Sequence, residues 1–163
     1  MATKWVDAKI LPEIPVMLSV VLGDTVIRFG ELERVIFTAM ARVSSADSPV
    51  KSEENEVINL VGRYKRIKTL GGLANAAKKQ FKNRDFKWFD PEVLRRLGDQ
   101  RNSIIHDALV EEPGGTLTWQ ASSTRKHRPV DYAELLLLRE CVVRTIKRID
   151  EGSCQYKKSR SNK

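Results

Sequence analysis

The sequence predicts an all-α fold: an antiparallel bundle of four to five helices with a small β-hairpin before the last one. Three observations carry that expectation. Apolar residues recur every three or four positions along most of the 163 residues. Helix-start signals, at Ser52, Asp90-Pro91 and Asp131, stand in front of those runs. Strict alternation is confined to Thr116–Trp119. The length suits one domain of about 100–200 residues. A composition of 41% hydrophobic and 31% charged residues excludes a disordered or fibrous chain.

The first helix is expected over about Val16–Val43, with Leu22, Val26, Phe29, Leu32 or Glu33, Ile36, Met40 and Val43 on one face and a kink or break near Gly23. Ser44–Ser52 reads as a loop, with Ser45, Asp47, Ser48 and Pro49 as breakers. Ser52 then caps a second helix whose first turn holds Glu53, Glu54 and Glu56, acids suited to a helix N-terminus. Val57, Leu60, Val61, Tyr64 and Ile67 stripe it, and Gly71-Gly72 bends or ends it. Leu73–Lys82 continues as helix. Asp90 as N-cap and Pro91 at the first helical position open a third long helix, expected to reach about Glu111 before Pro113-Gly114-Gly115. Thr116–Trp119 pairs with a strand near Arg125–Val130. Asp131 and Glu134 form a capping box for the last helix, striped by Leu135, Leu138, Val142, Ile146 and Ile149 and ended by Gly152. Residues 1–152 thus form a single helical domain, and 153–163 a basic tail expected to be disordered.

The longest nearly apolar run, Ile14–Leu22, is far short of the roughly 20 residues of a membrane span. It lacks the flanks of a secretory signal. Cys141 and Cys154 are too few for a disulfide framework or a zinc site, so a reducing cytoplasm is the default and no metal or cofactor is expected. Cys141 is expected in the core of the last helix.

The net charge of +8 is concentrated. Arg63, Lys65, Arg66, Lys68, Lys78, Lys79, Lys82, Arg84 and Lys87 fall within one stretch whose single acid is Asp85. Elsewhere basic and acidic residues cancel. Such a stretch suits a polyanion, most simply RNA or DNA; the plainer reading is a solvated basic helix face. Arg125, Lys126, His127 and Arg128 form a smaller basic cluster in a loop. The aromatics Phe86, Trp88 and Phe89 beside these basic residues either stack on unpaired bases or plug a core between helices.

One stretch has the look of chemistry: Asp99-Gln100-Arg101-Asn102-Ser103-Ile104-Ile105-His106-Asp107 on the third long helix. His106 and Asn102 are one turn apart and share a face. Arg101 stands roughly 140° round the helix from His106, a gap its long side chain can narrow. A plainer alternative has Arg101 pairing with Asp99, Glu31 or Glu33, and His106 as a satisfied polar residue at a helix seam.

Arg101-Asn102-Ser103-Ile104-Ile105-His106 resembles the arginine–polar–histidine motif of the HEPN superfamily, helical bundles that carry it on a late helix. The resemblance covers roughly residues 15–150 by architecture. It implies a metal-independent endoribonuclease, with RNA as substrate and two protomers sharing one cleft. His106 would act as general base or acid at the ribose 2′-hydroxyl or the leaving 5′-oxygen. Arg101 would bind the scissile phosphate, and Asn102 would bind phosphate or orient His106. By analogy the resemblance further implies a toxin or defence effector with a cognate antitoxin or regulatory partner. The residue before the histidine is Ile105 rather than the tyrosine of some toxin members, and Asp107 stands where a glycine is common. The competing expectation is a non-catalytic helical module that binds nucleic acid or serves as a protein adaptor.

Overall fold

A computed structural model describes residues 16–48, 52–106, 108–114, 117–120 and 127–161. Five helices dominate it: α1 (Val16–Asp47), α2 (Glu53–Tyr64), α3 (Leu70–Gln80), α4 (Pro91–His106) and α5 (Tyr132–Ser161). Between α4 and α5 three short antiparallel strands lie in sequence order: β1 (Ala108–Glu111), β2 (Leu117–Gln120) and β3 (His127–Pro129). No helix among the described residues is long and apolar enough to cross a membrane.

Side-chain pairs fix the helix directions. Arg139 bonds Asp24, Arg42 bonds Asp150 at 2.6 Å, and Tyr156 donates to Asp47 at 3.1 Å. Both partners advance together, so α1 and α5 run parallel, and theirs is the most extensive helix pairing. The chain leaves the C-terminal end of α1, descends along α2, returns up α3 and descends again along α4, where Arg101 meets Glu33 of α1. Phe29, Leu32, Ile36 and Met40 of α1 meet Leu60, Leu70, Leu94, Val142 and Ile149 in a fully buried core. Burying each such side chain stabilises the fold by about 1.5–3 kcal/mol.

Local chemistry starts most of these helices. Asp90 Oδ1 accepts from the amides of Glu92 and Val93, and Asp131 Oδ1 from those of Ala133 and Glu134. Both carboxylates therefore satisfy amides that have no partner inside the helix. Thr69 caps α3 in the same way through Gly72 N. The sequence points instead to Gly71-Gly72 as a bend; the glycines lie in the first turn of α3. A Cβ on Gly72 would come within 2.9 Å of Ile67 Cγ2, so the turn requires a small residue. Ser52 precedes α2 in an extended conformation but makes no side-chain cap bond.

Other expectations are corrected. The core face of the first half of α1 is Leu18, Val21, Thr25 and Phe29, with Leu22 partly buried beside it; Val26 is exposed, and the helix passes Gly23 unbroken. Thr25 can occupy that face because its hydroxyl donates to Val21 O at 2.7 Å. Val61 of α2 is exposed. The helix expected to reach Glu111 ends at His106. Pro113 cannot extend it and Gly114, at φ +107°, turns the chain back, so Ala108–Glu111 pairs as β1 with Leu117–Gln120. Trp119 lies opposite Arg128 in the β2–β3 register.

Gly152 does not end α5. Its backbone packs on Trp88, and a Cβ there would lie 2.1 Å from the indole Cγ. The helix continues to Ser161, so most of the stretch expected as a disordered tail is helical and bonded. Ser153 accepts from Arg42 at 3.0 Å, and Lys157 pairs with Glu53 at 2.5 Å. Cys141, expected in the core, is exposed on the outer face of α5. Phe81, Phe86, Trp88 and Phe89 form an edge-on and stacked cluster closed by Tyr156, with Phe86 and Trp88 stacked at 4.7 Å. Phe81 and Phe89 are buried in the core, and Phe86 and Trp88 pack partly buried against it.

Candidate functional site

Arg101, Asn102 and position 106 occupy the last two turns of α4, where the helix hands over to the sheet. Arg101 points toward α1. Its Nη1 donates to Glu33 Oε1 at 2.8 Å, and its side chain is 26% exposed. Its Nε is buried without a hydrogen-bond partner. One carboxylate therefore anchors the guanidinium and leaves further N–H donors of the fork uncommitted, some of them within reach of solvent. Asn102 is half-buried. His106 is the final residue of α4; its side chain, and all of Asp107, lie outside the described residues. Helical spacing puts position 106 on the same side as Asp99 and Ser103, away from the side on which Arg101 meets Glu33.

On that side a groove of about 340 Å³ separates α4 from the start of α5. Ile104, Leu135 and Leu138 form its apolar floor, and Asp99, Asp131 and Glu134 give it a negative rim. This rim repels phosphate. Arg101 thus sits between an anchoring carboxylate and an acidic groove.

The nine cations of the basic stretch do not make one surface. Arg63, Lys65, Arg66 and Lys68 are exposed where α2 gives way to α3. Lys78, Lys79, Lys82 and Lys87 are exposed at the other end of α3, about 16 Å away at 1.5 Å per residue. Arg84 is not a free cation. It forks onto Asp47, at 3.2 and 2.5 Å, and also bonds Tyr156. Those bonds, Arg84 foremost and Tyr156 next, hold the Asp47 carboxyl below its ordinary range against the opposing effect of burial. The second basic cluster, Arg125–Arg128, lies outside what is described of side chains.

The structure brings together cations that charge counting passed over. Lys87 joins Arg144, Lys147 and Arg148 of α5 around a groove of about 460 Å³. Acids elsewhere offset these three α5 residues in the total, which hid them. Their spacing gives them away, because positions 144, 147 and 148 lie opposite the buried stripe Leu135, Leu138, Val142 and Ile149. No group of acidic, histidine or cysteine side chains able to hold a metal ion exists among the described residues.

No protein-family model, no curated protein and no solved structure matches this chain.

Proposed function

We propose that the chain is a HEPN-like endoribonuclease that cuts RNA without a metal, as a pair of protomers whose two motifs face one cleft. What supports this reading is Arg101 beside Asn102 at the end of α4, a quarter exposed and with part of its guanidinium fork unpaired; its bond to Glu33 is the pairing that the plainer, structural alternative named. In the proposed reaction the ribose 2′-oxygen attacks phosphorus and the bond to the 5′-oxygen breaks. One end is left as a 2′,3′-cyclic phosphate and the other as a 5′-hydroxyl. His106 takes the 2′-hydroxyl proton or delivers one to the leaving oxygen. Arg101 offsets charge on the pentavalent transition state, and Asn102 binds phosphate or orients the imidazole.

A second copy matters because positions 101 and 106 look to different sides of α4 within one chain. An arginine from one protomer and a histidine from the other would complete a site. The first half of α1 supports self-association: Val16, Met17, Val20 and Ile27 are all exposed there, leaving an apolar face for a second copy to cover.

The test is cleavage of a labelled RNA in EDTA. The expected result is cyclic-phosphate ends, at least about 100-fold slower cleavage in Arg101→Ala and His106→Ala, and cooperative thermal melts that show both variants folded. Light scattering should find a dimer at active concentrations. Cleavage that needs added metal, or that survives His106→Ala, refutes the nuclease.

The acidic rim of Asp99, Asp131 and Glu134 favours a second reading, a bundle that binds nucleic acid elsewhere without cutting it. RNA binding with no cleavage by any form of the chain would select it.

A further inference from the structure

The groove between Lys87 and α5 has a built floor. Glycine inside a helix is disfavoured by about 1 kcal/mol relative to alanine. Gly152 is kept at mid-helix because the α5 backbone there touches the Trp88 indole. That contact lowers the surface between the loop before α4 and the outer face of α5. Lys87 stands on one side of the depression and Arg144, Lys147 and Arg148 on the other.

All four cations are exposed. Among the described residues, no carboxylate pairs with Lys87, Arg144 or Arg148. Lys147 has only a loose contact, 3.9 Å, with the exposed Glu151. These cations contrast with Arg42, Arg84 and Arg139, whose guanidiniums are committed to carboxylates within the fold. Four cations against one acid, Glu151, leave the lining of the depression net positive, and an anion relieves the repulsion among them.

We infer that the Lys87–Arg144–Lys147–Arg148 groove is a binding site for the phosphodiester backbone of a single nucleic-acid strand. A groove of a few hundred Å³ admits one strand and not a duplex. One face of Trp88 is stacked on Phe86 and its Cβ–Cγ edge lies against Gly152, so little of the indole is left for a base. The groove therefore reads phosphate and not sequence. The 2′-hydroxyl has no assigned role, so RNA and DNA strands of equal length bind alike. A headgroup layer offers the same phosphate chemistry, but a flexible strand can follow cations on both sides of the groove, Lys87 on one and α5 on the other. This inference does not rest on the nuclease reading, because DNA lacks the attacking hydroxyl and is bound without being cut.

The test is fluorescence anisotropy of the full-length chain with labelled oligo-dT and oligo-rU of about 12 nucleotides. Similar affinities for the two are expected. At a slope of about 0.7 per phosphate for single strands, four contacts weaken binding about 50-fold between 50 and 200 mM salt. Arg144→Glu/Arg148→Glu should weaken binding at least 10-fold, whereas Lys65→Glu/Lys68→Glu, with the same charge change at the α2–α3 junction, should cost less than threefold. All four side chains are exposed, and thermal melts check that both variants fold. Equal losses in the two variants would reduce the effect to net charge and overturn the site. So would a tenfold preference for RNA that is lost with Arg144→Glu/Arg148→Glu, or capture of the chain by phosphatidylserine vesicles, but not by oligo-dT, that depends on Arg144 and Arg148.

Discussion

A hydrogen in place of a methyl group at position 152 sets how closely α5 approaches the Trp88 ring. Gly152→Ala improves helix propensity by about 1 kcal/mol, yet its Cβ would fall 2.1 Å from the indole Cγ. Neither neighbour has room to yield, since Trp88 is wedged between Phe86, Phe81 and Phe89. The variant should be less stable by about 1–3 kcal/mol in urea unfolding; a variant as stable as the parent would show the contact to be slack. Residue chemistry is also where reading from sequence met its limit. Glycine at the end of an apolar stripe is a good helix stop, and nothing local reveals an indole 64 positions earlier in the chain. The Arg101–Glu33 pair was one of three partners that spacing allowed. Choosing among them required knowing that α4 lies antiparallel to α1.

Helix starts were legible because their causes are local. Asp90 and Asp131 cap the helices they precede, and the oxygen that does so belongs to the residue one reads. Helix ends were less legible. Ala108–Glu111 can extend α4 or pair in a sheet, and strand partners some nine residues away decide it. The last turns of α5 are polar and basic, which resembles a frayed tail. They are held by Arg42–Ser153, Glu53–Lys157 and Asp47–Tyr156, bonds to α1 and α2 that composition does not disclose. A chain ending at Gly152 should therefore lose stability, by about 2–4 kcal/mol for three such bonds partly shielded from water. A thermal melt unchanged by the truncation would mean that 153–161 contributes nothing.

Two carboxylates tie α1 to the rest of the molecule at opposite ends. The hydrogen bond from Arg139 lowers the Asp24 carboxyl, with help from the charges of Arg139 and Arg28 and against burial. Asp47 is lowered by Arg84 first, then by Tyr156. A carboxyl depressed in the folded state contributes its full stability above its ordinary value, here 3.8, and loses it as pH falls through the folded value. The melting temperature should thus fall steeply below about pH 4, and Asp24→Asn/Asp47→Asn should start lower at pH 7 and flatten that fall. An equally steep fall in the double variant would place the acid sensitivity elsewhere. The bundle itself was readable from periodicity, whereas the site was readable only as a motif, because which cations share a surface depends on how the helices stack. The parallel α1–α5 pair has a consequence for biosynthesis. Arg42 and Asp150 are 108 positions apart, Asp24 and Arg139 115. During translation Phe29, Ile36 and Met40 leave the ribosome long before Val142 and Ile149 exist to cover them. The nascent chain carries this helix only partly covered, by α2–α4, until its last third emerges, so a chain terminated before α5 should aggregate.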